Sequence, residues 1–144
     1  RKEAVFTAAK TLAKQILEEQ PSTKIGVVSF SSNSEISKEG TLEDAKLVIE
    51  PSSQISEITT AIDNIETTGG RTNIDAGLQT AKAHFSTDTT LNKYLILLTD
   101  GVPNNSVGTS LTYSGILLAN PTILSTNCGN TNCMNKAINI IAVK

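Results

Sequence analysis

Tyr94-Leu95-Ile96-Leu97-Leu98-Thr99-Asp100-Gly101 is the stretch on which the reading of this chain turns. Five consecutive apolar or aromatic residues show no alternation, and the run is too short for a helix of ordinary length. A continuous apolar run of this size is the mark of a strand covered on both faces. It stops abruptly at Asp100-Gly101, a turn-forming pair. A strand buried on both faces requires helices above and below the sheet, which predicts an α/β layered fold.

The flanking sequence supplies those helices. Ile74, Leu78, Ala81 and Phe85 lie on one face of a helix, with Thr72 or Asn73 at the capping position. Asp75 falls in the first turn, where a negative charge suits the helix dipole. Upstream, Ile55, Ile58, Ile62 and Ile65 mark a second helix that ends at the breaker cluster Thr67-Thr68-Gly69-Gly70. Near the start, Val5, Ala9, Leu12 and Ile16, with Phe6, Ala13 and Leu17 beside them, form a broad apolar helical face that ends at Gln20-Pro21-Ser22. Residues 24–31 read as a strand, and residues 41–51 as an edge strand with a turn. Residues 138–143 form another apolar, strand-sized run. The alternation predicts a three-layer, mostly parallel central sheet flanked by helices.

The whole of 1–144 reads as a single domain. Hydrophobic residues make up 38% and aromatics only 3%, so Ile, Leu, Val and Ala must build the core. The net charge of -2, without a Lys/Arg cluster, argues against nucleic-acid binding. No apolar run is long enough to span a bilayer. Residues 102–132 are rich in Asn, Ser, Thr and Gly and too long for a plain connection, which predicts an elaborated loop with a short helix over 114–119. Within it, Cys128 and Cys133 read as a small disulfide loop, which implies an oxidising compartment; two free thiols are the alternative.

Asp100 stands at the carboxyl end of the most buried strand, the end at which ligands collect in sheets of this kind. Thr72 lies in a Gly-rich turn ahead of a helix. A hydroxyl, a carboxylate and waters make a hard oxygen site suited to Mg²⁺, or to Mn²⁺ or Ca²⁺ with other ligand demands. Taken singly, each residue has a plainer explanation, Thr72 as a helix cap and Asp100 as part of a turn. His84, beside Phe85, reads as a surface or satisfied, partly buried histidine rather than a ligand. Asn104-Asn105-Ser106 fits a glycosylation acceptor, a triplet common by chance.

Thr-Gly-Gly-Arg-Thr-Asn-Ile-Asp-Ala-Gly-Leu (68–78) resembles the Gly-Gly-Thr-Asn segment of von Willebrand factor A domains. Leu-Ile-Leu-Leu-Thr-Asp-Gly-Val-Pro-Asn (95–104) is similar to their segment of an apolar strand followed by Thr-Asp-Gly, and 26–32 and 5–17 are similar to their second strand and first helix. The resemblance covers about residues 1–100 and extends to 138–144. It implies a Rossmann-like fold and a divalent-cation adhesion site, in which the threonine is Thr72 and the aspartate after the strand is Asp100. The family's Asp-x-Ser-x-Ser motif is absent; Ser29-Phe30-Ser31-Ser32-Asn33-Ser34 lacks the Asp. In the family that motif precedes the first helix, so the expectation is a domain incomplete at its N-terminus, with cation binding dependent on that segment.

The function implied is a metal-dependent protein-binding or adhesion module, not an enzyme, that recognises an acidic group on a protein partner. The cysteine pair and polar loop lean toward a secreted or cell-surface protein. An intracellular scaffold working with an ATPase or chelatase is an alternative. A Mg²⁺-dependent α/β hydrolase is a weaker one, since there is no Gly-x-Ser-x-Gly elbow, phosphate loop or dinucleotide fingerprint.

Overall fold

The computed structural model describes residues 2–31, 42–66, 72–99, 122–123 and 140–143. The elements in chain order are α1 (Lys2–Glu19), β1 (Lys24–Phe30), a short 3-10 turn (Leu42–Asp44), β2 (Ala45–Ser52), α2 (Ile55–Asp63), α3 (Ile74–Ala83), β3 (Lys93–Ile96), β4 (Thr122–Ile123) and β5 (Ile140–Val143). The five strands form one sheet in the order β2-β1-β5-β3-β4.

Strand alternation sends neighbouring side chains to opposite faces, and each face meets a different helix layer. On one face, Ile25, Val27 and Ile96 pack with Ala9, Ala13 and Leu17 of α1 and Ile58 and Ile62 of α2. On the other, Val28, Leu95 and Leu97 pack with Ile74, Leu78 and Ala81 of α3. The expected three layers are therefore present, and the helical periodicities point inward as read. A Lys10–Asp63 ion pair ties α1 to α2 across the outer surface. Ile65 lies beyond the end of α2 but still packs on the same cluster.

At the sheet edge, β2 carries two register shifts against β1: Ile25 pairs with Ser52, Val27 with Ile49, and Val28 with Leu47. These bulges let Leu47 join the α3 face while Ile49 joins the α1–α2 face. Pro51 is tolerated here because β2 is an edge strand. Gly26 faces this irregular stretch, where an added Cβ would lie 3.3 Å from the Ile49 carbonyl and from the Pro51 ring.

The sheet is not mostly parallel. Among the described strands only β3 and β4 pair in parallel, whereas β1–β2, β1–β5 and β3–β5 are antiparallel. The departure centres on β5, which sits between β1 and β3 and runs opposite to both. Connectivity explains its direction. Because β4 runs parallel to β3, it finishes at the carboxyl end of β3. Ile140, the first residue of β5, is opposite Val27 and Ile96, at that same end. A strand entering there can run antiparallel without a crossover of the whole sheet, which a parallel strand would need.

The two-residue β4 falls inside the stretch expected to be loop, so part of residues 102–132 joins the sheet. Asp100, the helix expected over 114–119, Asn104–Ser106 and the Cys128/Cys133 pair lie outside the described residues. Among the described residues, no helix is long and apolar enough to cross a membrane.

Candidate functional site at the N-terminus of α3

β1 and β3 are each antiparallel to β5, so they run parallel to one another and their carboxyl ends share one end of the sheet. α3 begins at that end. Asn73 is its cap residue: the side-chain oxygen accepts a hydrogen bond from the Ala76 N–H at 3.1 Å, and the backbone carbonyl accepts from Gly77 at 3.4 Å. Of the two candidates for the cap, Asn73 therefore has the role, and Thr72 is the residue immediately before it. Thr72 is half-buried.

Asn73 is fully buried, and a buried amide must satisfy both its donor and its acceptor. The acceptor is used by the cap. The Nδ2 donates to the Asp44 carboxylate at 2.8 Å, reaching across to the 3-10 turn that precedes β2. Asp44 in turn accepts at its backbone carbonyl from the Ser31 N–H at 2.8 Å, just past the end of β1. A continuous path of hydrogen bonds thus links the end of β1, the start of β2 and the start of α3. Sequence reading missed this path, because its partners are far apart in the chain and neither Asp44 nor Asn73 belongs to an apolar pattern. An Asn ahead of a helix that must be buried was the available signal.

Asp75, in the first turn as the sequence indicated, is also deeply buried, at 1% exposure. Gln79 one turn on donates to its Oδ1 at 3.3 Å, consistent with i,i+4 geometry on a helix. The start of α3 thus brings together Thr72, half-buried, and the buried, hydrogen-bonded side chains of Asn73 and Asp75. All are hard oxygen or nitrogen groups, and the positive end of the helix dipole lies among them.

α3 itself is seated by Gly77. An added Cβ there would approach Phe30 Cδ1 to 2.7 Å and Cγ to 2.9 Å, so the helix lies closer to the β1 side chain Phe30 than an alanine allows without a shift. His84, at the other end of α3, caps the helix and places Nδ1 3.2 Å from Glu50 Oε1 on β2. It is a satisfied, half-exposed histidine far along the helix from Thr72, as its sequence context suggested.

Of the two expected metal ligands, Thr72 lies at the N-terminal end of α3. Asp100 is outside the described residues, although β3, the strand leading to it, points its carboxyl end the same way. Among the described residues there is no group of three or more His, Cys, Asp or Glu able to hold a metal ion. Comparison with curated proteins and with solved structures gave no match. The family model for the von Willebrand factor type A domain matches residues 1–102, which include α1, β1, β2, α2, α3, β3 and the Asp100-Gly101 pair. This chain belongs to the von Willebrand factor type A domain family.

Proposed function

We propose that this domain is a protein-binding module that uses the Thr72 hydroxyl and the Asp100 carboxylate to hold a divalent cation, and through it recognises an acidic group on a partner. The observation that carries the reading is Thr72 itself. It stands directly before a fully buried cap residue anchored on two sides, at the end of the sheet toward which β3 and the following Asp100 lead. A hydroxyl held by a fixed helix start loses little freedom on binding, which favours affinity.

The donor chemistry fits a hard cation, since alcohol and carboxylate oxygens suit Mg²⁺ and Mn²⁺. Two protein ligands do not fill such a shell, and the remaining oxygens fall to water, to an Asp-x-Ser-x-Ser segment of the kind the family carries, and to the partner. The bound cation would supply a positive charge with an open position for a carboxylate. The chain's own residues do the rest: Thr72 and Asp100 hold and orient, and the 102–132 segment, which leaves the same strand end as Asp100, sets specificity. The role is binding rather than catalysis, in a secreted or cell-surface protein.

The test is Mn²⁺ titration of the 144-residue chain, alone and extended at its N-terminus by a strand carrying Asp-x-Ser-x-Ser. Saturable binding that is lost in both Thr72→Ala and Asp100→Ala is the expected result, together with Mn²⁺-dependent retention on immobilised Glu-containing peptides. Binding that survives both substitutions, or no binding by the extended chain, overturns the reading.

A further inference from the structure

We propose that Asp44 and Asn73 are positioning residues for Thr72, a strut that couples the segment entering β2 to the start of α3. This rests on the cation-site reading above for its binding consequence, although the geometry stands without it. Asn73 makes two side-chain hydrogen bonds with different jobs. Its Oδ1 caps α3 through Ala76, and its Nδ2 reaches Asp44. The first would hold the helix start by itself; the second fixes that start relative to the sheet. Asp44 can act as an anchor because its own backbone is tied to Ser31 at the end of β1.

Two chain segments converge on this pair. One is the 3-10 turn Leu42–Asp44 ahead of β2, the other Thr72-Asn73 ahead of α3. They meet at the Asn73–Asp44 hydrogen bond. Asn73 is completely buried, so its amide N–H has no solvent to turn to if the carboxylate is removed. Displacing Asn73 displaces Thr72, its immediate neighbour. Ligand-orienting partners of this kind commonly change metal affinity about 10- to 100-fold when removed.

The roles separate by substitution. Asn73→Ser retains a capping oxygen but is too short to reach Asp44. Asp44→Asn retains an acceptor for Asn73 while removing the charge. Asp44→Ala removes the acceptor altogether. In the Mn²⁺-binding form of the domain, Asn73→Ser and Asp44→Ala should each weaken Mn²⁺ about tenfold. Asp44→Asn should leave affinity within about threefold, and the double variant Asn73→Ser/Asp44→Ala should lose no more than either single one, because both break the same strut. A charge effect alone would instead make Asp44→Asn as damaging as Asp44→Ala, which overturns the proposal.

The same variants are read without metal by ¹⁵N relaxation of the Thr72 amide. Increased motion in Asn73→Ser and Asp44→Ala, but not in Asp44→Asn, supports the strut even if the wild-type domain binds no Mn²⁺ and the cation reading fails. Unchanged Thr72 dynamics together with unchanged Mn²⁺ affinity in Asn73→Ser, with only a lowered melting temperature, shows a purely structural pair and overturns the positioning role.

Discussion

Gly77→Ala sets two opposing effects against each other in a single methyl group. In a helix interior, alanine is favoured over glycine by about 1 kcal/mol, and Gly77 lies well inside α3. Against this, the new Cβ meets Phe30 Cδ1 at 2.7 Å, Cγ at 2.9 Å and Cβ at 3.2 Å. Ordinary contact begins at 3.4 Å, so the nearest ring atom must retreat by about 0.7 Å. The ring can turn only a little, because it packs against the Ile74, Leu78 and Ala81 cluster, and Phe30 Cβ is fixed by the β1 backbone. Overpacking of this kind costs about 1–3 kcal/mol, which exceeds the helix gain.

The expected net effect of Gly77→Ala is a destabilisation of about 1 kcal/mol, or roughly 3 °C in melting temperature for a chain of this size. The assay is urea unfolding followed by far-UV circular dichroism, in the native background and with Phe30→Ala. Without the ring, only the 3.2 Å contact remains, and a shift of a few tenths of an ångström relieves it. Gly77→Ala should then stabilise by up to about 1 kcal/mol, so the two substitutions couple by about 2 kcal/mol. If Gly77→Ala stabilises the native background by the full helix increment, α3 does not lie against β1 as described, and the argument for a seated helix start fails with it.

Three further outcomes follow from the same structure. Ile62→Ala removes a fully buried side chain between α1, α2 and the sheet, and should cost about 2–5 kcal/mol by urea unfolding. Ile141→Pro removes a backbone N–H from the strand that joins β1 to β3, and should lower the urea midpoint sharply; an unchanged midpoint would mean that β5 contributes little to the sheet. Asp88 accepts hydrogen bonds from the Thr90 side chain at 2.7 Å and the Thr90 N–H at 2.9 Å, which hold its carboxyl below the ordinary value of 3.8. Its small contribution is therefore present above pH 3.8 and fades as acid protonates it at lower pH. Thr90→Val should raise the Asp88 midpoint toward 3.8 in an NMR titration.

Patterning reveals elements and faces but not partners. The spacing of Ile55, Ile58, Ile62 and Ile65 locates α2 and its buried side, because burial alone sets that period. The 94–99 run likewise locates β3 and predicts cover on both faces, and Leu95 and Ile96 indeed face opposite layers. What sequence could not supply was direction. An apolar run such as 138–143 reads the same whether its strand runs with or against its neighbours, and the choice depends on where the preceding chain arrives. Nor could it supply Asp44 as the partner of Asn73, since the two are 29 residues apart and meet only through tertiary folding. The motif singled out Thr72 as a candidate, whereas the question of which residue caps α3 needed the geometry of Asn73.

The shared direction of β1 and β3 bears on where a binding site can form. β5 pairs with Lys24–Val27 of β1 and with Lys93–Ile96 of β3, antiparallel to both. β1 continues for another three residues, Val28, Ser29 and Phe30, and the chain after β3 continues through Leu97, Leu98 and Thr99 toward Asp100. Backbone leaving the carboxyl ends of such strands can turn outward and aim side chains at a ligand, and for this reason sites in layered α/β sheets gather there. Ser31 and Asp44, the foot of the Asn73 strut, meet at this end of β1. The Asn73–Asp44 hydrogen bond therefore anchors the start of α3 at the same sheet end to which the carboxyl ends of β1 and β3 lead.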